Sequence, residues 1–247
     1  MRLAAVNNRG IFITGTDTGV GKTLAAAAIA RLLRNRGINV GVMKPVTSGC
    51  GDRDGNRISE DAELLAWSAG CDPTDPDISP YCLAAPLAPS VAAAMEGVKI
   101  DLNRIRESYE RLASRHDFMI VEGAGGLMVP LAGGLMMADL IGRLALPTLV
   151  IARPGLGTVN HTVLTCYAAR QLGIEVRGII INNYPEHPDR AAESAPHLID
   201  SLSGAPLLGI FPQINGTSPR ETVTKLAEHL DREQTTRIML REIGIGH

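Results

Sequence analysis

Gly10-Ile-Phe-Ile-Thr-Gly-Thr-Asp-Thr-Gly-Val-Gly-Lys-Thr23 decides how this chain folds. The apolar run Ile11 to Ile13 reads as a buried strand and the glycine-punctuated stretch after it as a turn. The alanine-rich segment from Leu24 to Leu33 reads as a helix. Strand, loop and helix in this order build an anion site. Gly19 and Gly21 let backbone N–H groups approach phosphate oxygens with no Cβ in the way. The positive end of the helix points at the same anion. Lys22 can reach the β- and γ-phosphates of a nucleoside triphosphate, and the Thr23 hydroxyl can take a Mg2+ site. The strict phosphate-loop pattern wants glycine where Thr16 stands. Gly15 sits one place early, so the loop is a variant.

Composition narrows what can surround this loop. The chain has 247 residues, enough for one large α/β domain or two small ones, and the expectation is a single domain over residues 1–247. Hydrophobic residues make up 45% and aromatic residues 3%, so the core must be aliphatic. A net charge of -2 gives no electrostatic case for nucleic acid or a membrane surface. No apolar run is long enough to span a bilayer. Met1 to Gly10 is too short and polar for a signal peptide before the first strand. Cys50, Cys71, Cys82 and Cys166 have no metal or redox spacing, which fits reduced thiols in a soluble, cytoplasmic protein.

Beyond the first helix, apolar runs alternate with helical patterns. Strands are expected at Ile38 to Met43, Phe118 to Val121, Thr148 to Ala152, Val176 to Ile181 and Pro206 to Ile210. Helices are expected from Ser59 to Trp67, Ser90 to Met95, Leu102 to Arg115, Met137 to Leu144, up to Leu172, and Pro219 to Leu230. Arg190 to Leu202 reads as helical although Pro196 argues for a break. Cys50 to Arg57 reads as a mobile loop, and the tail from Asp231 carries no clear docking signal. Continuous apolar strands separated by helices specify an α/β fold: a parallel sheet covered on both faces. Ligands of such sheets sit beyond the carboxyl ends of the strands. The polar residues at those ends are Lys22 and Thr23, Lys44 and Ser48, Glu122, Asn160 and Asn182.

Each has a bland reading beside the chemical one. Asp61 and Glu122 could join Thr23 around Mg2+, a hard cation that takes oxygen ligands. Asp61 could instead only compensate a helix dipole. Glu122, following Met119-Ile-Val and preceding Gly123-Ala-Gly-Gly126, makes a poor surface residue. Lys44 ends a buried strand and cannot snorkel far, so a phosphate or carboxylate partner is expected. Thr47 and Ser48 could be ligands or turn formers. Asn160-His161 could hold an anion or only cap a helix. Asn182 could read a base edge or only form a turn. No Ser or Cys sits on a nucleophile elbow.

These segments together resemble the dethiobiotin synthetase family. The resemblance rests on Thr14-Gly-Thr-Asp-Thr-Gly-Val-Gly-Lys-Thr23, Lys44-Pro-Val-Thr-Ser-Gly49, Val121-Glu-Gly-Ala-Gly-Gly126 and Gly155-Leu-Gly-Thr-Val-Asn-His-Thr162. It implies a P-loop NTPase-type sheet of about seven strands and a homodimer. It also implies an ATP-dependent ligase that closes a cyclic urea from 7,8-diaminononanoate and CO2. The implied ATP-binding set is Gly19, Val20, Gly21, Lys22, Thr23, Leu24, Asp61, Glu122, Gly123, Ala124, Gly125, Asn182, Asn183, Pro212, Gln213 and Ile214. Lys22 and Lys44 would be catalytic, and Thr23, Asp61 and Glu122 would hold Mg2+. Thr18 and Ser48 would line the diamine site. Gly157, Thr158, Val159 and Asn160 of the partner subunit would receive its carboxylate. The family often has glutamate where Gly19 stands.

Two rivals share the fold. A partition- or division-site switch ATPase acts on DNA, membrane or protein, but typically carries a lysine early in its loop, where Thr16 and Asp17 stand. Cobyrinic-acid amidases usually bring a glutaminase domain, for which this chain has no room.

Overall fold

The structure is a computed structural model that describes residues 9–245; the readings of residues 1–8 and of His247 lie outside them. The chain begins β1 (Gly10–Gly15), α1 (Lys22–Asn35), β2 (Val40–Met43), β3 (Val46–Ser48), β4 (Gly51–Arg53), β5 (Asn56–Ile58), α2 (Glu60–Ala69), β6 (Tyr81–Leu83), α3 (Pro89–Met95) and α4 (Leu102–Ala113). It continues β7 (Phe118–Gly126), β8 (Pro130–Ala132), β9 (Leu135–Met136), α5 (Met137–Leu144), β10 (Thr148–Ala152), α6 (Thr158–Gln171), β11 (Val176–Tyr184), α7 (Arg190–Leu202), β12 (Leu207–Pro212), α8 (Pro219–Arg232) and α9 (Gln234–Glu242).

Six strands form the main sheet in the order β12-β11-β10-β1-β7-β2, every pair parallel. Parallel pairing forces helical crossovers, which cover both faces and explain why the strands are apolar throughout. Period-two alternation divides their side chains. Leu149, Ile151 and Ile180 join the core beneath α1, while Val150, Ile179 and Ile181 join a second core with Cys166 and Ile199 of α6 and α7.

The seventh main-sheet strand implied by the resemblance is absent among the described residues. The chain leaves β2 at Lys44-Pro45, where proline lacks the N–H a ladder needs, and β3 pairs with β6 in a separate two-stranded piece. Cys50 to Arg57 is not an open loop. It folds as the exposed hairpin β4–β5, with Asp54 at φ 55 and the Asp52 carboxylate accepting from the Gly55 N–H at 3.0 Å.

Two further expectations are corrected. α7 runs unbroken through Pro196. The carbonyl that Pro196 cannot serve, that of Ala192, accepts from the Tyr184 hydroxyl at 3.1 Å instead. The tail does dock. α9 buries Thr236, Met239 and Leu240 and packs on β12, the edge of the sheet.

β1, β7 and β2 lie side by side, so their carboxyl ends present the loop before α1, Glu122 and Lys44 to one another. β7 and β11 both run past their apolar runs, which carries Glu122 and Asn182 inside strands rather than in loops.

Candidate active site

Gly21 enters α1 at φ 83, a left-handed conformation that turns the loop back over the helix start. A Cβ on Gly21 would come within 2.2 Å of Asn182 Nδ2, so glycine is needed on two counts. The Asn182 amide donates to the carbonyls of Val20 (3.1 Å) and Gly21 (3.2 Å), clamping the loop to β11. Its own Oδ1 is buried with no partner. Lys22 is 7% exposed, and its ammonium donates to the Asp17 carbonyl of the same loop at 3.1 Å. Gly19, at φ 76 and exposed, has open space where a side chain would stand.

Lys44 is held differently. It is 4% exposed, and its Nζ lies 2.6 Å from Glu122 Oε1 and 2.9 Å from Asp61 Oδ2. The carboxylate partner expected from its strand-end position is therefore present twice over. Thr23 Oγ1 also donates to Glu122 Oε1, at 2.8 Å. Glu122 is fully buried, and its other oxygen, Oε2, has no partner. Asp61 reaches this cluster from the first turn of α2. The Ser59 hydroxyl fixes that turn by accepting from the Ala62 N–H, and it also meets the Thr47 hydroxyl at 2.7 Å. Asp61 thus sits both in the first turn of α2, where it compensates the helix dipole, and in the ion cluster around Lys44.

Electrostatics separate the two lysines. Burial is the largest influence on Lys22 and holds it below the ordinary lysine value, against the pull of Glu122. Burial also opposes the charge on Lys44, but Glu122 and Asp61 together outweigh it and raise it. Burial pushes Glu122 up, with Lys44 pulling against it. Asp61, 41% exposed at its side chain, is held low because Lys44 outweighs its partial burial.

These groups open into a cavity of about 740 Å3. Lys22, Thr23, Lys44, Asp61 and Glu122 lie in its wall, with Thr18, Gly19, Gly21, Ser48, Ala124 and Gly125 around them. Ser48 Oγ is buried and unpartnered. Leu87, Pro89, Val129 and Pro130 also line it, supplying an apolar side that no motif in the sequence announced.

Other expected residues stand outside its wall. Val20 is buried behind the loop, Leu24 lies half-buried in α1, and Gly123 packs on Phe12. Asn183, at φ 58, is exposed beside Asn182. Pro212, Gln213 and Ile214 leave β12 next to them, tied by the Gln213 N–H to the Tyr184 carbonyl at 2.8 Å. Gly157, Thr158, Val159 and Asn160 lie at the start of α6 and do not line this cavity.

Two carboxylates and a hydroxyl, all hard oxygen donors, suit a divalent cation that keeps waters and shares ligands with phosphates. Among the described residues no group of three or more His, Cys, Asp or Glu side chains could hold a metal alone. No helix among them is long and apolar enough to cross a membrane.

Comparison with known proteins agrees with this geometry. The family described as AAA domain matches residues 9–221. The chain is 40% identical over 90% of its length, and 94% of the relative's, to the ATP-dependent dethiobiotin synthetase BioD of Bacillus licheniformis. It is 35% identical to the protein of that description from Bacillus subtilis, over 96% of this chain and all of the other. Among solved structures, a ParA family ATPase from Chlorobium tepidum superposes with a TM-score of 0.56 at 18% identity, covering 96% of this chain and 97% of the other. The Pyrococcus furiosus cell division ATPase MinD gives 0.55 at 17% identity, covering 96% and 97%. At such identities the last two establish the fold alone.

Proposed function

The chain belongs to the ATP-dependent dethiobiotin synthetases, and from that premise we propose how its residues assemble dethiobiotin from 7,8-diaminononanoate, CO2 and ATP. One amine attacks CO2; the new C–N bond and loss of a proton leave a carbamate. A carbamate oxygen takes the γ-phosphoryl group and ADP departs, giving a carbamic–phosphoric anhydride. The second amine attacks the carbonyl carbon, phosphate leaves with the C–O bonding pair, a proton is lost, and the cyclic urea closes.

Phosphoryl transfer asks the protein mainly for position and charge. Backbone groups from Gly19 to Leu24 cradle the phosphates, with Ala124 and Gly125 also on the cavity wall and Gly123 behind them. Lys22 balances charge on the γ-phosphate, and Lys44 balances charge on the carbamate and on the oxygens that develop charge in transfer. Thr23, Asp61 and Glu122 would hold Mg2+, which when bound neutralises phosphate charge. The unpartnered Oε2 of Glu122 supports that assignment. Thr18 and Ser48 orient the diamine. The free Oδ1 of Asn182 is an acceptor suited to an exocyclic adenine amine, with Asn183 and Pro212 to Ile214 around the base.

The diamine's carboxylate goes to the start of α6 in a partner subunit, Gly157 to Asn160, which makes the working unit a homodimer. Exposed apolar residues support a covered surface there: Leu156, Leu164 and Tyr167 in and beside α6, Leu87 on the cavity wall, and Val91 and Met95 on α3.

One observation carries the reading: Lys44 is stored between two carboxylates on the wall of the cavity that Lys22 enters from the loop. The test is to supply diamine, bicarbonate and Mg-ATP, then omit each in turn. Dethiobiotin and phosphate are expected in equal amounts, and omitting the diamine should stop both. Diamine-independent hydrolysis that responds to DNA or lipid would instead support the switch-ATPase reading.

A further inference from the structure

The fold brings together two cysteines that the sequence keeps far apart. Thr47 on β3 pairs with Cys82 on β6. Just beyond, the Cys50 N–H donates to the Leu83 carbonyl at 2.8 Å. These pairings set Cys50 and Cys82 at adjoining positions of the two strands.

Their surroundings differ in the way a reactive pair requires. Cys50 is 9% exposed, and its thiol donates to the Thr47 carbonyl at 3.6 Å. Cys82 is half-buried, with its Sγ 3.4 Å from the Ser79 hydroxyl. The Arg57 guanidinium, on the hairpin strand β5, favours the ionised form of both. The interaction with Cys50, helped by Ser79 and Arg57 and opposed by burial, brings Cys82 down to about 6, while Cys50 is pushed up. A half-buried thiol held below its ordinary value, with a second, buried thiol at the adjoining strand position, is the arrangement of a redox cysteine and its resolving partner. Cys71 and Cys166 lack it: burial pushes both up, Cys166 to about 11.

We propose that Cys82 and Cys50 are a peroxide-reactive dithiol in the strand pair beside the substrate cavity. The Cys82 thiolate attacks hydrogen peroxide; an S–O bond forms, the O–O bond breaks, and hydroxide leaves. The resulting sulfenic acid is attacked by the Cys50 sulfur. An S–S bond forms, the S–O bond breaks, and the hydroxyl leaves as water with the Cys50 proton. The two thiols lose two electrons, and the peroxide is reduced to water. A small dithiol reverses the change.

The linkage acts on the cavity through β3. Ser48 lies two residues before Cys50 and lines the cavity. Thr47 holds the Ser59 hydroxyl that caps α2 and so presents Asp61. A disulfide holds its Cβ atoms about 3.5–4.5 Å apart, a constraint imposed two residues from Ser48. That consequence rests on the proposed diamine site; the thiol chemistry does not.

The test uses the full chain. After peroxide treatment, alkylation and peptide mapping should reveal a Cys50–Cys82 linkage, with Cys71 and Cys166 alkylated and dithiothreitol restoring the thiols. Cys82→Ser should abolish the reaction. Cys50→Ser should stop at a sulfenic acid that dimedone captures. The oxidised protein should show a several-fold higher KM for the diamine, returning on reduction. Earlier oxidation of Cys71 or Cys166, no linkage, or an unchanged peroxide rate in Cys82→Ser overturns the dithiol. A linked protein with unchanged KM overturns its coupling to the cavity. The linkage is read by mass without turnover, so its failure is distinct from failure of the dethiobiotin assay.

Discussion

Lys22 and Lys44 enter one cavity from two kinds of support. Lys22 stands on α1 and touches only a carbonyl of its own loop; burial leaves its charge underserved. Lys44 ends a strand and is held by two carboxylates that keep it charged. The first is a cation waiting for an anion. The second is a cation already paired; in the proposed reaction it is exchanged from Glu122 and Asp61 to substrate when those carboxylates find another partner. In the proposed reaction the loop lysine answers for nucleotide affinity, and the strand lysine for the chemical step and for the stability of the empty site.

Breaking the first half of this contrast gives the largest effect. Lys22→Ala should weaken ATP binding by about 2–5 kcal/mol, read by calorimetric titration, with kcat at saturating ATP changed far less. Retained affinity would merge the two roles.

The second effect is on stability. Lys44→Ala leaves the Glu122 carboxylate buried without its cation, a loss of about 3–5 kcal/mol. The penalty depends on pH. Burial already raises the Glu122 carboxyl, and removing Lys44 removes the pull downward. A raised carboxyl contributes stability below its unfolded value that is lost as pH rises through its folded value. The variant should thus match the wild type in acid and fall behind toward neutral pH, as urea unfolding at both ends would show. A pH-independent deficit would contradict the pairing.

Asn182→Ala should cost about 1–3 kcal/mol by freeing the Val20 and Gly21 carbonyls. It should raise the KM for ATP while leaving kcat nearly unchanged. Smallest is Pro196→Ala, within about 0.5–1 kcal/mol, because the Tyr184 hydroxyl already serves the exposed carbonyl.

The fold was legible wherever local pattern carried it. The six main strands and the helices between them follow from apolar runs, and the strand-end rule brought Lys22, Lys44 and Glu122 to one cavity before any contact was visible. What escaped was long-range. Nothing near Pro196 says that a hydroxyl on β11 will replace its missing N–H, and nothing in the tail names β12 as its bed. Cys50 and Cys82 have no motif spacing; the pairing of β3 with β6 joins them. The apolar wall from Leu87 to Pro130 likewise depends on two loops meeting.

The separation of affinity from chemistry is tested most directly by single-turnover phosphate release from Lys44→Ala at saturating Mg-ATP, diamine and bicarbonate, with ATP affinity measured on the same preparation at a pH where it is folded. Near-normal ATP affinity with release slowed by about 10²–10³-fold is the predicted result. Release at the wild-type rate would remove Lys44 from the reaction and with it the exchange of its ammonium from carboxylates to substrate.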